Sequence, residues 1–341
     1  MSGSRIGTLG DDRERSAALD VGRKPGLFVI GAMKSGTNYL RKLLQLHPSI
    51  FMTEVREPSY FVDPGELKAI WPEMWAHGYW REERNYLQLF ASAGEATIIG
   101  EASTNYAKIP LVTGVAKRLH AFNPDARQIY LLRDPIERTM SHYWHMVRYH
   151  NEYRPIETVI RRDPQYLAVS HYAMQLAPFH EHFGGDRVAV LTYEQLISDP
   201  YTTMESLYRW LGLDLAGVDV SKFREPENST PEVFRMPAWN GIARKLWQSP
   251  PVKVVKPYLP RVVQASLRRA TNHYVPRQAV DITSAIEFLR SIQRRQVDEL
   301  SGVLNRGFPE WTTLNGGDAA ERRRGARPAE GAGPGAAAVN G

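Results

Sequence analysis

The stretch Leu27-Phe28-Val29-Ile30-Gly31-Ala32-Met33-Lys34-Ser35-Gly36-Thr37-Asn38 decides the fold. Four apolar residues rich in β-formers run straight into a turn holding two glycines, a lysine and two hydroxyls. A helical pattern follows, with Leu40, Leu43, Leu44 and Leu46 on one apolar face. Strand, tight turn and helix in that order cradle a phosphate. Backbone N–H groups and the helix N-terminus point at the anion, and a lysine supplies a full charge. Lys34, Ser35, Gly36, Thr37 and Asn38 are therefore candidate anion ligands. The alternative is an ordinary βα turn with Lys34 in solvent.

The turn departs from the nucleotide triphosphatase pattern, in which lysine follows the last glycine. Here Lys34 lies between Gly31 and Gly36, on the loop crest rather than on the helix. From there it could reach a bridging oxygen at the end of a short phosphate chain.

Outward from this segment, short apolar runs alternate with amphipathic ones. Thr97–Glu101, Gln128–Arg133 and Arg187–Leu191 read as further strands. Tyr39–Leu46, Leu111–His120, Ile136–Tyr149, Gln165–Phe183, Thr202–Leu211 and residues 284–304 read as helices. This alternation predicts an α/β, P-loop-type three-layer fold with a central parallel sheet flanked by helices. Each strand ends in polar residues, and ligands of such sheets bind beyond the carboxyl ends of the strands. Residues 50–96 read as a helical excursion rich in aromatics, and residues 222–285 are irregular and basic. Trp71, Trp75, Tyr79 and Trp80 suit either sugar stacking or core packing.

Composition bounds the function. The chain has 341 residues, is 43% hydrophobic and 23% charged, and has no cysteine, which excludes disulfides, thiolate catalysis and cysteine-bound zinc. The formal charge of +6 favours anionic ligands. Without a zinc finger, basic zipper or stacked-aromatic motif it does not predict nucleic-acid binding. No apolar stretch approaches the ~18 residues of a membrane span. Residues 1–24 are polar and lack a signal-peptide core, so the expected location is cytoplasmic. Residues 1–24 and the Gly/Ala/Arg-rich residues 314–341 read as disordered ends around a single domain at 25–313.

A second anion site is suggested by Arg133-Asp134-Pro135 through Ser141. Pro135 suits a first helical turn and Asp134 its cap. Ser141 follows Arg133 by about two helical turns. Arginine offers a bidentate fork to phosphate and serine a neutral donor. The competing reading pairs Arg133 with Asp134 or Glu137. Together the two segments suit a ligand with phosphates at two places.

With these two motifs the chain resembles sulfotransferases that use 3′-phosphoadenosine 5′-phosphosulfate (PAPS). The resemblance is strongest over 27–143 and extends weakly to about 213. It is closest to the heparan-sulfate-type carbohydrate enzymes. It assigns Gly31–Asn38 to the 5′-phosphosulfate, and Arg133 and Ser141 to the 3′-phosphate. The donor would be PAPS, the product adenosine 3′,5′-bisphosphate (PAP), with no metal required. The acceptor would be a glycan, a glycolipid or another small molecule. The segment Glu57-Pro58-Ser59-Tyr60-Phe61 resembles the one that carries the general base, implying catalytic roles for Glu57 and Lys34. Removing the acceptor proton suits a carboxylate whose pKa burial has raised.

Other assignments remain open on the residues alone. Glu57 could pair with Arg56 or Lys68. Glu101 is the runner-up base, and His77 and His171 stay in view because other members use histidine. Family carbohydrate enzymes often carry Glu-Lys where this chain has Glu101-Ala102, and Lys108 is a candidate replacement. His142 reads as local structure, and His47 as a partly buried or capping side chain. Arg235 and Lys245 are candidates for a basic loop over the nucleotide. The alternative functions are a P-loop phosphotransferase and a non-catalytic nucleotide- or polyanion-binding protein.

Overall fold

The computed structural model describes residues 23–150, 152, 154–224, 233–237, 272–276 and 281–316. Leu27–Gly31 forms β1, buried at every position. Ile50–Met52, Ile98–Ala102, Arg127–Leu132 and Val188–Thr192 form β2 to β5. The five strands make a parallel sheet in the order β2-β3-β1-β4-β5. A strand paired on both edges and covered on both faces must be apolar throughout, which is why β1 reads as a continuous run. Alternate side chains serve opposite faces. Phe28, Ile30, Tyr130 and Leu132 join one buried cluster, and Leu27, Val29, Ile129 and Leu131 join the other.

The helices complete the three layers. On the second face lie α1 (Thr37–Gln45) and Pro200–Trp210, through Leu40, Leu43, Leu44 and Leu207. The first face is covered by α2 (Val115–Phe122), α3 (Pro135–Tyr149), α4 (Tyr172–Phe183) and α5 (Thr283–Leu304). The chain leaves β1 toward β2 and β3, then crosses to β4 on the other side of β1. That reversal opens a crevice at the carboxyl ends of β1 and β4, where such sheets bind ligands.

Five expectations are revised. Gln165–Phe183 is two helices, Gln165–Ala168 and α4. The break holds Ser170, whose buried hydroxyl bonds the Pro135 carbonyl and the Arg138 guanidinium. The excursion at 50–96 begins with β2, a strand too short to show a period. The basic stretch at 222–285 contains Val233–Pro237 and Asn272–Pro276, which pair antiparallel. Tyr193–Ser198, read only as a polar strand end, is a short helix. Leu314, expected to open the tail, is buried.

Asp134 ties the crevice together. One carboxylate oxygen caps α3, accepting from the N–H groups of Ile136 at 3.0 Å and Glu137 at 3.3 Å. The other accepts from the N–H groups of Thr313 at 2.8 Å and Leu314 at 3.0 Å. Trp311, fully buried and stacked on Phe308, anchors that returning segment. Asp134→Ala removes the cap and strands two buried N–H donors. It should lower unfolding free energy by about 2–4 kcal/mol in urea titration. Hydrogen exchange at Thr313 and Leu314 should accelerate with it.

Candidate active site

The β1–α1 turn is shaped by a close approach. Gly36 has φ of 92°, and a Cβ there would lie 2.6 Å from the Tyr193 ring. Glycine alone fits both demands. Gly36 is also the N-cap of α1 and gives it no side-chain cap, leaving first-turn N–H groups for an anion. Ser35 is fully buried and its hydroxyl has no partner. Thr37 is buried, whereas Asn38 is exposed on α1.

Two arginines from the next motif hold this turn by its carbonyls. Arg133 Nη1 donates to the Lys34 carbonyl at 3.3 Å, and Arg138 Nη1 to the Met33 carbonyl at 3.5 Å. The Lys34 amine is held below its ordinary pKa by burial first, then by Arg133, Arg138 and Arg148. Arg133 also pairs with Glu137 at 3.5 Å and lies over the Tyr193 ring. The competing sequence reading is thus met in part: Arg133 has a carboxylate neighbour while it braces the loop. Ser141 is 6% exposed and its hydroxyl has no partner among the described residues.

Arg138 is the functional-site residue that sequence reading missed. It is fully buried and bonds only neutral groups: Ser170 Oγ, Thr139 Oγ1 and the carbonyls of Tyr166 and Met33. Burial brings its pKa down to about 10. The available signal was a second arginine one helical turn after Asp134. His142 and His145 follow on α3. Burial, and then neighbouring cations, push His142 well below its ordinary value and His145 down to about 4. Both rings are neutral at physiological pH.

The acceptor-side candidates lie beyond β3. Glu57 Oε1 accepts from Thr104 Oγ1 at 3.0 Å, while Oε2 is buried without a partner. Burial raises the Glu57 pKa; Lys108 and bonds from Thr104 and Asn105 oppose that rise. Neither Arg56 nor Lys68 forms an ion pair with it. Glu101 is fully buried and saturated by hydroxyls: Tyr86 at 2.8 Å and Tyr106 at 2.6 Å on Oε1, Ser103 at 2.6 Å on Oε2. Lys108 is 5% exposed and donates to Asn105 Oδ1 at 2.6 Å. Lys34 and Lys108 both add, after burial, to the lowering of His145.

The remaining candidates lie elsewhere. His171 bonds Glu299 on α5 at 2.6 Å, and His77 is an exposed ring stacked on Tyr79. His47 is 4% exposed, more buried than its partly buried or capping reading, and accepts from the Ser49 N–H. Trp71, Trp75 and Trp80 are partly buried and pack against the core. Arg235 lies on the strand Val233–Pro237, but its side chain is outside the described residues, as is all of Lys245.

A cationic turn lies at the switch point of this parallel α/β sheet. A family model described as "Sulfotransferase family" matches residues 25–217, more than half of the chain, and the chain belongs to that family. It is 29% identical over 205 residues to "Membrane-associated sulfotransferase kil1" of Dictyostelium discoideum, covering 54% of this chain and 40% of that protein. It is 27% identical over 207 residues to "Heparan sulfate glucosamine 3-O-sulfotransferase 3A1" of Mus musculus, covering 57% and 48%. The chain thus spans less than half the length of these two relatives. Its fold is similar to that of a sulfotransferase from Alicyclobacillus acidocaldarius, with a TM-score of 0.57, 22% identity, and coverage of 85% of this chain and 99% of that one. No helix among the described residues is long and apolar enough to cross a membrane.

Glu101 gives a test of this electrostatic picture. Burial lifts it to about 7 from an ordinary value of 4.5. Between those values the folded chain keeps a proton that the unfolded chain releases, so this group's contribution to stability falls as pH rises through the window. Glu101→Gln should make the decline shallower by up to about 1.4 kcal/mol per pH unit, read from urea unfolding at pH 5, 6 and 7. Part of the slope should persist, because Glu194 is also lifted to about 7.

Proposed function

We propose that this chain transfers a sulfuryl group from PAPS to a hydroxyl of a carbohydrate, glycolipid or small-metabolite acceptor, releasing PAP. Family membership supports the reaction class. The observations that carry the residue assignment are a cationic, partly unsatisfied loop and a carboxylate that keeps one buried oxygen free.

The donor fits the residues present. The unpartnered Ser35 hydroxyl and the α1 N-terminus, with Gly36 and Thr37, suit the 5′-phosphosulfate beside Lys34. Arg133 and the unpartnered Ser141 suit a 3′-phosphate. Asn38 and Arg235 belong to the proposed donor set on resemblance alone. PAPS supplies an activated sulfuryl group whose sulfur–oxygen bond to phosphate breaks as the acceptor oxygen bonds sulfur. Glu57 Oε2 takes the acceptor proton, and its part-buried position favours a pKa matched to that task. Lys34 offsets the charge that grows on the departing phosphate oxygen. Glu101 is the weaker base candidate, since three hydroxyls already occupy its oxygens.

Similarity to the mouse heparan sulfate glucosamine 3-O-sulfotransferase supports a glycan acceptor, whereas the Dictyostelium discoideum sulfotransferase is named for no acceptor. We read 25–313 as one domain, because α5 and the 308–314 segment share a core with β1 and β4.

Two measurements test the reading. In calorimetry PAP should bind at least about tenfold more tightly than adenosine 5′-monophosphate, and Ser141→Ala should narrow that gap. Equal affinities would remove the 3′-phosphate clamp. With PAPS and a panel of hydroxyl acceptors, sulfated product should be detected by mass. Glu57→Gln should cut turnover by about 10²–10⁴ with PAP affinity unchanged. Full turnover in Glu57→Gln, with loss in Glu101→Gln, would move the base to β3.

A further inference from the structure

We infer that Lys108 is a positioning residue for the acceptor half of the site: acting through Asn105 and Ser59 it fixes the Glu57 main chain, and its charge holds the Glu57 carboxylate ionised. The inference rests on the reading of Glu57 as proton acceptor. Lys108 is 5% exposed, and none of the ion pairs among the described residues includes it. A buried ammonium without a carboxylate in contact is costly and needs a compensating role. Its Nζ donates to Asn105 Oδ1 at 2.6 Å and sits 4.6 Å from the Trp71 ring centroid, a cation–π contact that fixes its direction.

Asn105 couples that charge to Glu57. It is 1% exposed, and it favours the ionised Glu57 carboxylate against burial. Its Nδ2 donates to Ser59 Oγ at 3.0 Å, and Ser59 Oγ donates to the Glu57 carbonyl at 3.1 Å. Glu57 and Ser59 have φ of 53° and 54°, a conformation that such residues adopt only when neighbours hold it. Lys108 therefore orients the side-chain amide that, through Ser59, holds the Glu57 main chain.

The charges facing the pair come from several elements. Lys108 and Glu101 face Glu57; Glu57 and Arg138 face Lys108; His142 and His145 on α3 feel Lys108. Glu57 is the group that raises the Lys108 pKa against burial, and Lys108 is the first group that lowers that of Glu57. The coupling is reciprocal, so each partner reports on the other.

The experiment is the pH profile of kcat/KM for sulfuryl transfer in wild type, Lys108→Met and Lys108→Arg. Lys108→Met should move the acid limb up by about 0.5–1.5 pH units, with activity recovering above it, because Glu57 loses its cation. Lys108→Arg should return the limb toward wild type. The shift should persist in a Glu101→Gln background, which separates it from Glu101's own titration. A second measurement needs no Lys108 variant and no turnover. The Lys108 Cε chemical shift, followed by NMR in lysine-labelled protein, should titrate at lower pH in Glu57→Gln than in wild type. An unmoved acid limb in a folded Lys108→Met, or an unchanged Lys108 titration in Glu57→Gln, would overturn the inference. If Glu57→Gln itself keeps full turnover, the assignment of the base fails instead.

Discussion

Arg138 is a guanidinium taken out of water with no carboxylate in contact among the described residues. The cost of such burial is several kcal/mol unless other groups offset it. Here neutral acceptors do so, and they come from three separated segments: Met33 on the β1–α1 turn, Thr139 on α3, and Tyr166 and Ser170 between α3 and α4. One side chain thus brings the turn, the helix and the helix break into register. Because no carboxylate neutralises it, its charge remains in the crevice. Burial first, and then repulsion from Arg133, Arg138 and Arg148, lower the pKa of Lys34 beside it. A ligand with several negative charges relieves this repulsion in proportion to its charge, which favours a polyphosphate-like anion over a monoanion.

The sheet was legible because its strands are buried on both faces. A run such as Leu27–Ile30 has one reading, and the polar residues at four strand ends mark the ligand edge before any coordinates are known. β2 escaped because three residues carry no period. The turn at Ser170 escaped because its cause is the buried side chain of Arg138, 32 residues away, rather than a local Gly or Pro signal. The same limit explains why Arg138 was passed over. An arginine on a helix reads as solvated unless its tertiary acceptors are known. The strand end at Arg133 and the β1–α1 turn were legible because each is set by local spacing.

The two acidic candidates show why residue type and position do not by themselves assign a chemical role. Glu57 and Glu101 lie beside the same strand end, both have raised pKa values, and burial is the first cause for each. Their difference lies in hydrogen bonding. Glu101 receives three hydroxyls, from Tyr86, Ser103 and Tyr106, so each oxygen has a donor and the group serves as a polar knot inside the core. Glu57 receives a hydroxyl on one oxygen and leaves the other buried without a partner. A buried, unpartnered oxygen is unfavourable in a purely structural role, because its lone pairs have been stripped of water without replacement. A substrate hydroxyl would supply the missing donor. An acceptor that binds there improves the environment of Glu57 before any proton moves, so binding and proton transfer draw on the same unsatisfied atom.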